Sequence, residues 1–238
     1  ECGDVTEKYY AVREVIKIYL DPGTLLPDVP KNREKTAYGV VRLNEFADLF
    51  ENLERLAQPV YSEVPKCMEH YGQGYGYIAY RTVLNRAYNN SKLKFESIGD
   101  RASVYINRRL VGFVYINDDS LEVEFTAEKG DVLTILCENM GRTNFGPKMM
   151  YKKGIVGRVL LGLKIHFNWE VYTLPMEEFS TIPFVEGTGT DTPCFFKGEF
   201  ELNESLADTF LRLDNFKKGF VVINGFNIGR YWEIGPQK

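Results

Sequence analysis

The sequence predicts a mainly β protein: two jelly-roll-like β-sandwiches in series, preceded by one helix. Three observations predict it. From Gly72 onward, apolar residues recur with period two or in short runs divided by turn signals, as strands with a buried face require. Aromatic residues make up 14% of the 238, with 15 Tyr and 16 Phe, and rings pack well on a half-buried pleated surface. Finally, Val104-Tyr-Ile-Asn107-Arg-Arg-Leu-Val-Gly112 and Val221-Val-Ile-Asn224-Gly-Phe-Asn-Ile-Gly229 share the spacing V-x-I-N-x4-G. A strand, an Asn-led hairpin turn and a return strand account for that spacing, so each copy marks one sandwich.

In chain order, Asp4 to Leu20 reads as a helix, with Val5, Tyr9, Val12, Val15, Ile16, Tyr19 and Leu20 spaced by threes and fours and Asp4 with Glu7 in capping-box spacing. Asp21-Pro22-Gly23 stops it, and Pro22, Pro27 and Pro30 mark a linker to about Thr36. A short strand follows at Tyr38 to Leu43. Glu45 to Leu56 then places Phe46, Leu49, Phe50, Leu53 and Leu56 on one helical face. The expected strands are Tyr77 to Leu84, Lys92 to Glu96, Ala102 to Ile106, Val111 to Ile116, Leu121 to Phe125 and Val132 to Glu138. They continue through Gly154 to Leu161, Trp169 to Leu174, Cys194 to Leu202, Thr209 to Leu213 and Phe220 to Ile223. Gly99-Asp100, Asn117-Asp118 and Lys129-Gly130 read as turns between them. The expected division is residues 1–36 for helix and linker, 37–176 for the first sandwich and 177–238 for the second. After the first copy of the repeat the chain runs through about two more strands, whereas after the second it ends. The second sandwich therefore reads as incomplete, with an edge in need of cover. The opening Glu1-Cys2-Gly3, without Met, reads as an interior segment or a processed end.

A net charge of −4, with only short basic pairs such as Arg108-Arg109 and Lys152-Lys153, argues against nucleic acid as a partner. No apolar run approaches the ~20 residues of a membrane-spanning helix. Cys2, Cys67, Cys137 and Cys194 show no C-x-x-C spacing, and His70 and His166 are the only histidines, so no metal site and no cofactor is indicated. The cysteines read as small buried hydrophobes in preference to disulfide partners. Asn89-Asn90-Ser91 and Asn203-Glu204-Ser205 have the N-x-S form of glycosylation acceptors, a form that chance also produces. Nothing in the composition fixes a compartment.

The run Gly219-Phe-Val-Val-Ile-Asn-Gly-Phe-Asn-Ile-Gly-Arg-Tyr-Trp-Glu-Ile-Gly-Pro-Gln237 closely resembles the closing signature of glycoside hydrolase family 35 β-galactosidases. Cys137-Glu-Asn-Met-Gly-Arg-Thr-Asn-Phe-Gly146, with Lys153-Gly-Ile beyond it, resembles that family's E-N-M-G-R-x-N-[YF]-G segment. Gly76-Tyr-Ile-Ala-Tyr-Arg-Thr82 resembles its first sandwich strand. The resemblance implies galactose-binding-like sandwiches behind a (β/α)8 barrel, of which the helix at Asp4 to Leu20 would be the last. It implies a retaining hydrolase of terminal β-D-galactosyl residues whose two glutamates, about 5 to 5.5 Å apart, lie on barrel strands. Neither of those strands is in this sequence, so no catalytic residue is expected here. The partners implied are the barrel of the same parent protein and, through it, a galactoside.

One loop could still reach the site. Phe145 matches the family's pocket aromatic, commonly Tyr; its ring can pack against galactose but has no hydroxyl to donate. The plainer reading is loop packing at a domain interface. Asn139, Arg142 and Asn144 read as structural loop residues, with Arg142 tying backbone carbonyls or a carboxylate. Arg230, Tyr231, Trp232 and Trp169 read as packing residues. Glu122 with Glu124, and Glu199 with Glu201, mimic a catalytic pair at i, i+2 but read as solvated faces. Two other functions compete with the enzyme portion: a stand-alone carbohydrate-binding module using Tyr71, Tyr75, Tyr77 and Tyr151, or a pure scaffold. An uncovered apolar patch near Phe145 and the N-terminal helix is expected where a barrel would sit.

Overall fold

A computed structural model describes residues 3–203 and 206–235. The motif residues Pro236 and Gln237, the thiol of Cys2 and the triplet residues Glu204 and Ser205 lie outside them. The chain divides into two units, one of residues 43–198 and one that joins residues 1–42 to 199–238. In chain order the elements are α1 (Glu7–Ile18), β1 (Glu45–Asp48), α2 (Leu53–Leu56), β2 (Val60–Ser62), β3 (Tyr77–Val83), β4 (Tyr88–Phe95), β5 (Ile98–Gly99), β6 (Arg101–Ile106), β7 (Arg109–Tyr115), β8 (Glu122–Ala127) and β9 (Val132–Glu138). They continue as β10 (Gly154–Ile155), β11 (Val159–Leu161), β12 (Lys164–Ile165), β13 (Trp169–Leu174), β14 (Val185–Glu186), β15 (Cys194–Lys197), β16 (Lys218–Ile223) and β17 (Phe226–Trp232).

Unit 43–198 is a β-sandwich. A six-stranded sheet, β2-β13-β3-β9-β6-β7, faces a four-stranded sheet, β12-β11-β4-β8. The period-two residues predicted from the sequence form the layer between them: Ile78 and Tyr80, Leu93 and Phe95, Val104 and Ile106, Val123 and Phe125, Leu133 and Ile135, and Trp169 with Val171 are all buried. Each such side chain removed from water contributes roughly 1.5 to 3 kcal/mol before chain entropy is counted. The other face of the larger sheet is buried as well, because Tyr105, Leu136, Tyr172 and Leu174 are covered along with Leu49, Phe50, Leu53, Met176 and Ile182. Phe50 meets Tyr105 edge-on, ring centres 4.8 Å apart.

That outer layer corrects the reading of Glu45 to Leu56 as one helix. Residues 45–48 are strand β1, paired on both sides by β14 and β15. The strand ends because the Asp48 carboxylate accepts from the N–H groups of Phe50 (2.7 Å) and Glu51 (3.0 Å), which turns the chain into a 3-10 turn at Phe50–Asn52 and then α2. Leu49, Phe50 and Leu53 are buried as a helical face would bury them, while Phe46 belongs to the strand.

Other boundaries shift for local reasons. The strand expected at Tyr38 to Leu43 does not form: Gly39 takes φ +91° and breaks the alternation, and Tyr38 bonds through its hydroxyl to both backbone groups of Ala207. Gly154 to Leu161 is two strands, split where Gly157 takes φ +96°. Cys194 to Leu202 shortens to β15, and Thr209 to Leu213 forms no strand; a lone bridge joins Lys35 to Asp208. Gly99 belongs to strand β5, paired with β10, so Gly99-Asp100 is no simple turn.

In the other unit, α1 begins at Thr6, whose side chain makes no cap bond. The capping box at Asp4 is not used, because Asp4 pairs with Lys35 at 2.5 Å. No residue of α1 is buried, and Val12, Val15 and Ile16 stand open to solvent. The described strands β16 and β17 form a two-stranded hairpin.

The internal repeat is realised in both units down to its irregularities. Each hairpin turns through two residues with positive φ, Asn107 (47°) with Arg108 (70°) and Asn224 (50°) with Gly225 (83°), the signature of a type I′ turn. In each, the register slips by one residue at the same place, between Val104 and Tyr105 and between Val221 and Val222. At the repeat's glycine, a Cβ on Gly112 would lie 2.7 Å from Val123 Cγ1, so only a bare α-carbon lets β7 pass that close to β8.

Candidate functional site

The loop that follows β9, residues 139–151, combines a fastened base with an open tip. At the base, Asn139 is buried. Its N–H donates to Gly76 O (3.1 Å), its Nδ2 to Gly74 O (3.0 Å), and its Oδ1 accepts from Gly141 N (3.0 Å). Arg142 reaches the same strand entry, donating from Nε to Gly74 O (2.8 Å) and from Nη2 to Glu69 Oε1 (2.8 Å). Glu69 also accepts from the Lys153 N–H at 3.1 Å, which brings the two ends of the loop to one carboxylate. Partial burial pushes the Glu69 carboxyl up, but its own N–H, that of Lys153 and the Arg142 guanidinium together outweigh this and hold it below the ordinary value.

A second clamp lies beneath. The Lys153 ammonium, almost fully buried, donates to both carboxylate oxygens of Asp100 at 2.6 and 2.7 Å. Asp100 Oδ2 also accepts from Met140 N at 2.7 Å, and the Asp100 N–H donates to Glu138 O at 3.0 Å. Buried charges persist only when paired and hydrogen-bonded, and both conditions are met here.

The tip differs in character. Asn144 is exposed and Phe145 is 86% exposed, followed by Gly146 at φ +90° and a 3-10 turn at Pro147–Met150. Met149, Met150 and Tyr151 extend the exposed apolar surface, with the Lys148 ammonium 5.7 Å from the Tyr151 ring centre. The structure thus gathers Asn139 and Arg142 at the base and leaves Asn144 and Phe145 at the tip. Sequence reading gave no role to Glu69, Asp100 or Lys153: Asp100 had surfaced as part of a turn signal, and Lys153 in a short basic pair and at the head of the Lys153-Gly-Ile stretch.

The remaining candidates are structural or solvated. Glu122 is held between Lys92 (2.8 Å) and Lys94 (2.5 Å) across the ladder, and those two lysines keep its carboxyl below the ordinary value. Glu199 and Glu201 are exposed and outside any strand. Trp169 is buried, donating from Nε1 to His166 O at 3.1 Å. The Trp232 ring lies under the Lys218 ammonium at 4.2 Å, and Tyr231 meets Phe216 edge-on. Of the tyrosines, Tyr75 and Tyr151 are exposed while Tyr71 and Tyr77 are half-buried. Cys67, Cys137 and Cys194 are free thiols, Cys137 with its titration pushed up by burial. Among the described residues no cluster of His, Cys, Asp and Glu is arranged to hold a metal ion, and no helix is long and apolar enough to cross a membrane.

Comparison with known proteins gives these features a setting. A model of the first all-β domain of β-galactosidase matches residues 65–175, and a model of the β-galactosidase galactose-binding domain matches residues 193–238. The whole chain aligns with β-galactosidase 1 of Dictyostelium discoideum at 34% identity over 269 residues, covering 40% of that protein. It aligns likewise with the β-galactosidases of Bos taurus (32% over 265 residues, 40% of that chain) and Xanthomonas manihotis (35% over 240 residues, 39%). The chain therefore spans about 40% of the length of these curated relatives. A GH2 β-galacturonidase from Eisenbergiella tayi, solved bound to glycerol, aligns over 57% of this chain and 25% of its own at 14% identity, with a TM-score of 0.28, too low to bear on the fold.

Sandwich and family matches together define a class: the all-β and galactose-binding domains of a β-galactosidase. More particularly, the chain belongs to the glycoside hydrolase family 35 β-galactosidases and represents their C-terminal β-sandwich region.

Proposed function

We propose that this chain braces the (β/α)8 catalytic barrel of a retaining β-galactosidase and lends Phe145 to the barrel's sugar pocket. The parent enzyme hydrolyses terminal β-D-galactosyl residues with two barrel glutamates and no cofactor. The observation that carries this reading is the contrast within one loop: a base fixed by Asn139, Arg142, Glu69, Asp100 and Lys153, and a tip where Phe145 is 86% exposed. A pre-ordered base loses little entropy when the tip inserts, and a ring can stack on the apolar face of a sugar. Helix α1 is read as the last barrel helix, a role supported by its Val12, Val15 and Ile16, which no described residue covers. The organisation we propose is barrel helix and linker (1–36), a first jelly-roll-like sandwich (37–176) and a second (177–238), a two-sandwich division supported by the separate family models over 65–175 and 193–238.

The test is hydrolysis of a chromogenic β-galactoside by the purified chain, by the separately expressed barrel, and by their mixture. Activity is expected only where the barrel is present, and activity from the chain alone refutes the proposal. In the full-length enzyme, Phe145→Ala is expected to lower kcat/KM roughly 3- to 10-fold, the worth of one aromatic contact, while Phe145→Tyr retains activity.

A second reading, a stand-alone carbohydrate-binding module, is favoured by the galactose-binding description of the model matching 193–238 and by the exposed Phe226. Calorimetric titration of galactose into the isolated chain separates the two: saturable heat lost in Phe226→Ala favours the module, and its absence leaves the bracing role.

A further inference from the structure

We propose that Asn89 is an N-glycan acceptor and that the protein accordingly passes through a compartment holding a lipid-linked oligosaccharide donor. The triplet Asn89-Asn90-Ser91 satisfies the N-x-S rule, which alone decides nothing. The structure adds two observations. First, the triplet sits on a β-bulge: β4 pairs with β8 through Tyr88↔Ala127 and next through Ser91↔Phe125, so one extra residue is extruded between them. Tyr88 is anchored inward, buried with its ring 5.2 Å from that of Phe125, and Leu93 is buried further along; between these anchors Asn89 and Asn90 are exposed. Asn90 takes φ +43°, which bends the chain at the triplet.

Second, the two asparagines are treated differently. The Asn90 side chain is engaged, its Oδ1 accepting from Thr126 Oγ1 at 3.3 Å while that hydroxyl accepts from Asn90 N at 3.1 Å. The Asn89 carboxamide makes no hydrogen bond within the described residues, and only its backbone carbonyl is used, accepting from Ser91 Oγ at 3.3 Å. Conjugation of Asn89 Nδ2 therefore breaks no internal bond and buries no sugar. The residue that the triplet marks as acceptor is the one the fold leaves available.

The chemistry is a group transfer. Asn89 Nδ2 attacks the anomeric carbon of an oligosaccharide carried on a lipid diphosphate. The N–C bond forms, the C–O bond to the diphosphate breaks, and the proton lost from Nδ2 ends on the diphosphate leaving group.

The experiment uses the full-length protein isolated from its natural source, digested with peptide N-glycosidase in heavy-oxygen water and mapped by mass spectrometry. Isotope-tagged aspartate at position 89 is the expected result, and an unmodified Asn89 overturns the proposal. In protein secreted from a eukaryotic host, Asn89→Gln and Ser91→Ala are each expected to remove one glycan from the gel mobility. Ser91→Thr and Asn90→Gln should keep it. Retention of every glycan in both Asn89→Gln and Ser91→Ala also overturns it.

Discussion

Replacing Lys153 by Met tests whether the loop base is fastened by a buried charge pair. The substitution keeps the apolar stem and deletes the ammonium, whose side chain is 7% exposed against 15% for its partner Asp100. The Asp100 carboxylate would retain one donor, Met140 N, and lose two charge-assisted bonds. Breaking a buried pair in this way costs about 3 to 5 kcal/mol, because the surviving charge stays buried without compensation. The lower figure is the better expectation, since Asp100 is close enough to the surface to recruit water. For a domain of this size about 3 kcal/mol corresponds to a fall in Tm of roughly 6 to 12 °C. Calorimetry and urea denaturation of the wild type, Lys153→Met, Asp100→Asn and the double variant close a thermodynamic cycle. The double variant is expected to be less destabilised than the two single changes added together. Arg158→Gln, which breaks the exposed pair with Glu96, should leave Tm unmoved. A loss below about 1 kcal/mol in Lys153→Met, or additivity in the cycle, would refute the view that this pair holds the loop.

Two further outcomes follow from other contacts. Gly112→Ala puts a methyl 2.7 Å from Val123 Cγ1, and overpacking between β7 and β8 is expected to cost about 1 to 3 kcal/mol in urea unfolding, whereas Gly130→Ala, with open space but φ +96°, tests backbone strain alone. Stability should also fall as pH drops through about 6.5 because of His166, whose imidazole is held below its ordinary value by burial first and by the Arg86 charge second. The sign follows because the unfolded chain binds the proton before the folded one does, so the contribution is complete above the unfolded pKa and is lost toward the lower folded one. Thr82 Oγ1 donates its only proton to Asn168 O, so His166 Nε2 must be the donor in their 3.0 Å contact, and His166→Gln should flatten this pH dependence in chemical denaturation.

The strands most legible in the sequence were those buried on both faces. Val132 to Glu138 and Trp169 to Leu174 were delimited to the residue, because strands inside a sheet carry β-branched, aromatic and aliphatic residues at nearly every position between turn signals. Strands β2, β5, β12 and β14 were not foreseen: each is two or three residues long, and β2, β5 and β14 exist only because a partner distant in sequence lies beside them. Residues 45–56 misled for another reason, since a strand, a tight turn and one helical turn can bury residues at much the same intervals as a helix. At the candidate site, Asn139, Arg142 and Phe145 were conspicuous through their motif. Their fastenings were not, because Lys153 meets Asp100 across 53 positions and Glu69 across 84, separations that no local pattern encodes.

The two hairpins place their register slip at equivalent positions, ahead of the turn and apart from it. Alignment of the paired strands goes with the extruded residue and the positive-φ pair, which both copies share, while the side-chain contacts of Asn107 with Asp131 and Val132 tie the first bend to the neighbouring strand. The bend becomes a site where identity can drift while geometry stands still: Arg108 occupies in one copy the place that Gly225 fills in the other. A fold built from such units can alter what it shows to its surroundings one bend at a time, without renegotiating how its strands align.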